Sequence, residues 1–181
     1  VWALRSLKGK DENVRIAGFY NKVKPISAST RKLIDALPDN APLYKKQYGV
    51  TSFLKDIHGG SDLWLAEAHE PSCTICGITS GYQGPGPKTI VPAKASAKVD
   101  FRLVPDQNPD EILELFRAHL DKNGFEDVKI ELLAKEFPSV TDPDHPFVRM
   151  VAESSREVFG NPMLMVPSIG GTGPSAKFME Y

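Results

Sequence analysis

The clearest pattern in the chain is a strict alternation from Ala93 to Val104. Ala95, Ala97, Val99, Phe101 and Leu103 share one parity; Lys94, Ser96, Lys98, Asp100 and Arg102 share the other. A period of two puts the first set on one face of a strand and the second on the opposite face, so the segment predicts a half-buried strand. Upstream, Cys73-Thr74-Ile75-Cys76-Gly77-Ile78 is short, apolar and rich in β-formers, which predicts a second strand. The glycine- and proline-rich run Gly81-Tyr82-Gln83-Gly84-Pro85-Gly86-Pro87 lies between the two as a loop. Asn108-Pro109-Asp110-Glu111 opens a helix, with Asn as cap, Pro in the first turn and acids beside the positive end of the dipole. Ile112, Leu113, Leu115, Phe116 and Leu120 give that helix an apolar face, and Gly124 ends it. Val128-Lys129-Ile130-Glu131-Leu132 alternates again and predicts a further strand.

The flanks are less regular. Val1 to Leu7 reads as the end of an amphipathic helix whose beginning is missing, and the final residues, Ala176 to Tyr181, look equally interrupted, as in an excised piece. Residues 8–26 turn from polar to apolar in Val14-Arg15-Ile16-Ala17-Gly18-Phe19-Tyr20, a short strand or extended arm ending near Pro25. Ser27 or Ser29 caps a helix through about Leu37, and Pro38 and Pro42 bracket a turn. Leu43–Tyr48 and Asp62–Ala68 read as short helices separated by Gly59-Gly60. After the linker Pro138 to Pro143 the composition shifts: His145–Phe159 is helical and ended by Gly160, and Met163-Leu164-Met165-Val166 reads as a short buried strand. The expected fold is α+β, an antiparallel sheet with helices packed on one face over residues 1–139, its first strand and most of its first helix missing. Residues 140–181 form a helix-strand piece of a different domain.

Composition narrows the classes. At 181 residues, with 41% hydrophobic and 25% charged, the chain has the length of one domain or of one domain plus part of another. A formal net charge of −1 leaves no basic excess to drive binding to nucleic acid or anionic lipid. No run of about 18 apolar residues and no basic-then-apolar leader occur, so the expectation is a soluble chain without membrane association. Two cysteines argue against a disulfide-stapled scaffold and fit a reducing cytoplasm.

Few residues point to chemistry. Cys73 and Cys76 have the spacing of zinc knuckles and redox pairs, but no second such pair completes four ligands, and strand positions three apart face opposite ways. They read as ordinary strand thiols. His58, His69, His119 and His145 fall in separate elements without a His-Glu-x-x-His arrangement, and Asp142 and Asp144 beside His145 read as a helix-opening loop. Two features rise above this background. Arg102 stands on the polar side of the alternating strand, with Lys88-Thr89 at the end of the glycine-rich loop; an arginine fork suits a terminal carboxylate. Gly170-Gly171-Thr172-Gly173-Pro174 is a backbone able to approach a ligand closely and present amides and a hydroxyl. Taken alone, each reads first as structural, an exposed strand arginine and a plain turn.

Lys88-Thr89-Ile90-Val91-Pro92-Ala93, joined by a strand to Phe101-Arg102-Leu103-Val104-Pro105, resembles the lid-domain signature of a family of zinc metallopeptidases, within a match running from residue 71 to 112. That family, peptidase family M-20, includes carnosinase-type dipeptidases, aminoacylase, carboxypeptidase G and succinyl-diaminopimelate desuccinylase. Ile16 to Val23 and Gly170 to Pro174 also fit it. The resemblance implies a lid inserted in a catalytic α/β domain, two zinc ions in the whole enzyme, homodimers formed by pairing lids, and hydrolysis of dipeptides or N-acyl amino acids. Residues 140–181 would belong to the catalytic domain. Arg102, Thr89 and Lys88 would hold the substrate carboxylate together with the Gly171-Thr172-Gly173 loop. The family's zinc ligands, its catalytic glutamate and the lid histidine that reaches into the partner's site have no counterpart here, so no zinc and no activity are expected of this chain alone. A different class, a stand-alone pairing module that binds no substrate, leaves Arg102 without a task. A nucleic-acid-binding sheet would need exposed aromatics beside Lys94, Lys98 and Arg102, and that face has none.

Overall fold

In a computed structural model, in which residues 1–178 are described, two strands pair antiparallel: β1, Ser72–Ser80, and β2, Ala95–Arg102. The register joins Ser72 to Arg102 at one end and Ser80 to Ala95 at the other, with a bulge between Ile75 and Gly77. The alternation does what its period requires. Cys73 and Phe101 face each other across the ladder, as do Ile75 and Val99, and this face receives the helices. α1, Trp2–Leu7, and α5, Pro109–Lys122, pack there, with Leu7, Phe19, Cys73 and Ile112 buried among Leu4, Val99, Phe101, Leu115 and Phe116. Phe101 lies 5.9 Å from Phe19 and 5.4 Å from Phe116, ring centre to ring centre, within the range of favourable aromatic pairs. The protein is thus α+β, a two-stranded antiparallel sheet with helices on one face.

Helix ends follow their sequence signals. Ser27 accepts from the Thr30 amide and starts α2, Ala28–Asp35. Asn108 accepts from the Asp110 amide at the start of α5, and Gly124 follows α5 at φ 77°. α3, Ala41–Tyr48, and α4, Gly60–Ala68, begin slightly earlier than the sequence suggests. The cause is Asp39, whose Oδ1 accepts from the amides of both Ala41 and Gly60, so one carboxylate caps two helices. α2 and α4 pack together, and Trp64 Nε1 donates to the Pro38 carbonyl.

Two expected strands, and the strand alternative for Val14–Tyr20, do not form among the described residues. The arm at Val14–Tyr20 makes a single bridge, Lys8 to Val14, and then a run of turns, because Gly18 adopts φ 83° and the Tyr20 hydroxyl folds back to accept from the Val14 amide. Val128–Leu132 is not part of a ladder: the Val128 amide donates to the Phe125 carbonyl, and the Val128 carbonyl accepts from Arg117. Its alternation specified faces, but a ladder also needs a neighbour's backbone. Met163–Val166 is neither buried nor paired; Met163 is 42% and Leu164 56% exposed, and both border a cleft. α6, Pro146–Phe159, is capped by His145 Nδ1 and ended by Gly160 at φ 70°. A short α7, Ser175–Phe178, follows the glycine loop. Residues 179–181, the tail of the stretch that reads as interrupted, lie outside the described residues.

Candidate functional site

Arg102 is the last residue of β2, where the alternation turns it away from the core. Its Nε donates to Asp100 Oδ2 at 2.7 Å and its Nη1 to Thr172 Oγ1 at 2.6 Å. Asp100 and Arg102 share a strand face because they are two residues apart. Thr172 comes from the glycine loop, seventy positions away in sequence. The loop reaches this place by close backbone approach: a Cβ on Gly170 would stand 2.9 Å from the carbonyl oxygen of Glu67 at the end of α4. Glu67 is itself held by the Tyr44 hydroxyl, which donates to Oε2 at 2.9 Å.

These groups border a cleft of about 1200 Å³. Arg102, Asp100, Ser72 and Glu67 line it together with the 163–173 segment, side chains of α6 and residues 134–141. The lining mixes apolar side chains such as Phe137, Val148 and Leu164 with one cluster of polar groups around Arg102. A guanidinium fixed at two of its nitrogens, a hydroxyl whose oxygen already accepts from it, and glycine amides beside them can bind an acceptor-only group such as a carboxylate.

The structure brings together Arg102, Gly171, Thr172 and Gly173. It does not bring Lys88 or Thr89 to them within one chain. Those residues belong to the loop that joins β1 and β2, beyond the Ser80–Ala95 end of the ladder, and Ile90 packs near Gly81. Arg102 is at the opposite end, about 24 Å away for seven steps of extended strand. Lys88 Nζ instead sits 5.3 Å from the centre of the Tyr82 ring. Asp100 and Glu67 escaped sequence reasoning as cleft residues. For Asp100 a signal existed, an acid two positions before an arginine on one strand face; for Glu67 none did.

The cysteines separate as their parity requires. Cys73 is buried in the core, and that burial pushes its thiol up to about 11, while Cys76 is exposed at the bulge. Among the described residues no group of three or more His, Cys, Asp or Glu is placed to hold a metal ion. No helix among them is long and apolar enough to cross a membrane.

The fold and the cleft define an α+β unit, and comparison with known proteins gives its family. The family model described as a peptidase dimerisation domain matches residues 8–128, and the chain belongs to that M20 family. It is 25% identical over 183 residues to the Beta-Ala-His dipeptidase of Mus musculus, covering 98% of this chain and 36% of the relative. It is also 25% identical to the Cys-Gly metallodipeptidase of Candida albicans, covering 81% of this chain and 31% of the relative. Among solved structures, the M20 family metallo-carboxypeptidase Sso-CP2 from Sulfolobus solfataricus superposes with a TM-score of 0.88 at 34% identity, over 98% of this chain and 40% of that one. The chain thus spans about a third of the length of the curated relatives it matches.

Proposed function

We propose that this chain is the carboxylate-binding and dimerisation portion of a larger metal-dependent peptidase or amidohydrolase that acts on dipeptides or N-acyl amino acids. The observation that carries the reading is the 2.6 Å bond from Arg102 to Thr172, which assembles one anion-binding corner from the lid strand and the glycine loop. The names of its relatives supply the reaction class, since both curated proteins are dipeptidases. Residues 1–139 are the lid and 140–181 a part of the catalytic domain. Two zinc ions would be held outside the described residues of this chain, which by itself is inactive; free thiols suit a cytoplasmic protein.

The hairpin geometry adds a second element. Thr89 and Arg102 are too far apart to grip one carboxylate within a chain, whereas a homodimer pairing two lids places the loop of one copy at the cleft of the other. Exposed Tyr82, Ile90 and Val91 give that loop an apolar surface for such a partner. A pure pairing module would not explain why Arg102 is aimed into a lined cleft.

N-acetylglycine, a free carboxylate of the right class, tests both elements by titration. Arg102→Ala weakens its binding by about tenfold, the scale of a charge-assisted bond at a half-exposed site. Mixing Arg102→Ala and Thr89→Ala chains restores full affinity in half of the heterodimer's sites, because one site carries both lesions and the other none. Unchanged affinity in Arg102→Ala sinks the carboxylate site; no recovery on mixing sinks the arrangement across the dimer.

A further inference from the structure

We infer that Asp100 is the positioning residue for Arg102, and that it selects which edge of the guanidinium a substrate carboxylate meets. The inference rests on the carboxylate-binding reading and adds a residue to it. Arginine can offer a carboxylate two forks, one built from Nε and an Nη, the other from the two Nη groups. Asp100 Oδ2 occupies Nε at 2.7 Å, which closes the first fork. Thr172 Oγ1 accepts from Nη1, which pins a second corner of the same rigid plane. Two anchors on a planar group fix its orientation, so the edge left for a ligand is the one that contains Nη2, beside the Thr172 hydroxyl whose own hydrogen is then available to donate.

The pair is poorly placed for a role in stability. Asp100 and Arg102 keep 44% and 53% of their side-chain surface exposed, and ion pairs in such surroundings add little to folding. Both line the cleft, and both come from the last three residues of β2, whose backbone is held by the ladder to Thr74 and Ser72. A rigid strand thus supplies both the cation and the acid that aims it.

The test uses the 181-residue chain with its arginine side chains labelled by 15N, and reads the Arg102 Nε–H resonance while N-acetylglycine is titrated, with N-acetylglycinamide as the carboxylate-free control. Asp100→Ala moves the resonance toward that of a solvated arginine and weakens N-acetylglycine about fivefold, a loss of orientation rather than of charge. Asp100→Asn, whose amide oxygen still accepts from Nε–H, keeps both the resonance and the affinity near those of the unsubstituted chain. Asp100→Ala that binds N-acetylglycine as tightly as the unsubstituted chain overturns the inference, and so does Asp100→Asn that binds as weakly as Asp100→Ala. If N-acetylglycinamide binds as well as N-acetylglycine, or if Arg102→Ala binds unchanged, the carboxylate reading itself fails, a result separate from any difference among the Asp100 variants.

Discussion

Arg102 at the end of β2 and Thr172 on the glycine loop are joined by a 2.6 Å hydrogen bond across seventy positions of sequence. The bond brings a cation from the α+β unit and a hydroxyl from the segment that follows it to one cleft.

The Gly170 approach to α4 sets where that hydroxyl stands. Gly170→Ala would place a methyl 2.9 Å from the Glu67 carbonyl oxygen, so the loop must move. The expected cost is about 1–3 kcal/mol in stability, with weaker N-acetylglycine binding because Thr172 shifts from Arg102. Thermal melts and the same titration check this; a variant with unchanged melting and binding shows that the loop is not held there.

Zinc at stoichiometric concentration leaves the melting temperature of this chain unchanged, since its described side chains offer no group of three ligands. Scanning calorimetry with and without zinc decides it. A rise of several degrees would mean that a site exists which the described residues do not reveal.

The two thiols differ in reactivity. Cys76 is exposed, whereas Cys73 is enclosed and its thiol is pushed up to about 11 by burial, so little thiolate exists at neutral pH. Iodoacetamide labelling of the folded chain, read by mass spectrometry, should modify Cys76 and spare Cys73 until denaturant is added. Equal labelling of both in the native state contradicts the packing of β1 on the core.

His119 gives a pH dependence with a definite sign. Its Nε2 lies 2.9 Å from Ser6 Oγ, between α5 and α1, and burial holds its basicity below the usual imidazole value of 6.5. Burial lowers the basicity of His69 in the same way. For each the unfolded chain binds the proton more readily, so stability is complete above 6.5 and falls as pH drops through that value toward the lower folded one. Denaturation at pH 7.5 and 5.5, with His119→Gln to remove one contribution, measures the effect. A protein more stable at the lower pH reverses the sign.

Local signals went far in this chain. The period-two run at 93–104 located β2 and its two faces, Asn108 and the Ser27-or-Ser29 cap located two helix starts, and the lid-like motif around Arg102 identified the family, because each depends on residues close together in sequence and on fixed backbone geometry. The same local logic misread Val128–Leu132 and Met163–Val166. Alternation and apolarity state which faces would be buried, but a strand exists only where another strand offers its amides and carbonyls, and burial only where another element covers it. Sequence proximity also joined Arg102 to Thr89, thirteen positions away through a hairpin that holds them at opposite ends. Only the tertiary structure could exchange that neighbour for Thr172, since the pairing depends on how Gly170 lets one backbone approach the end of α4.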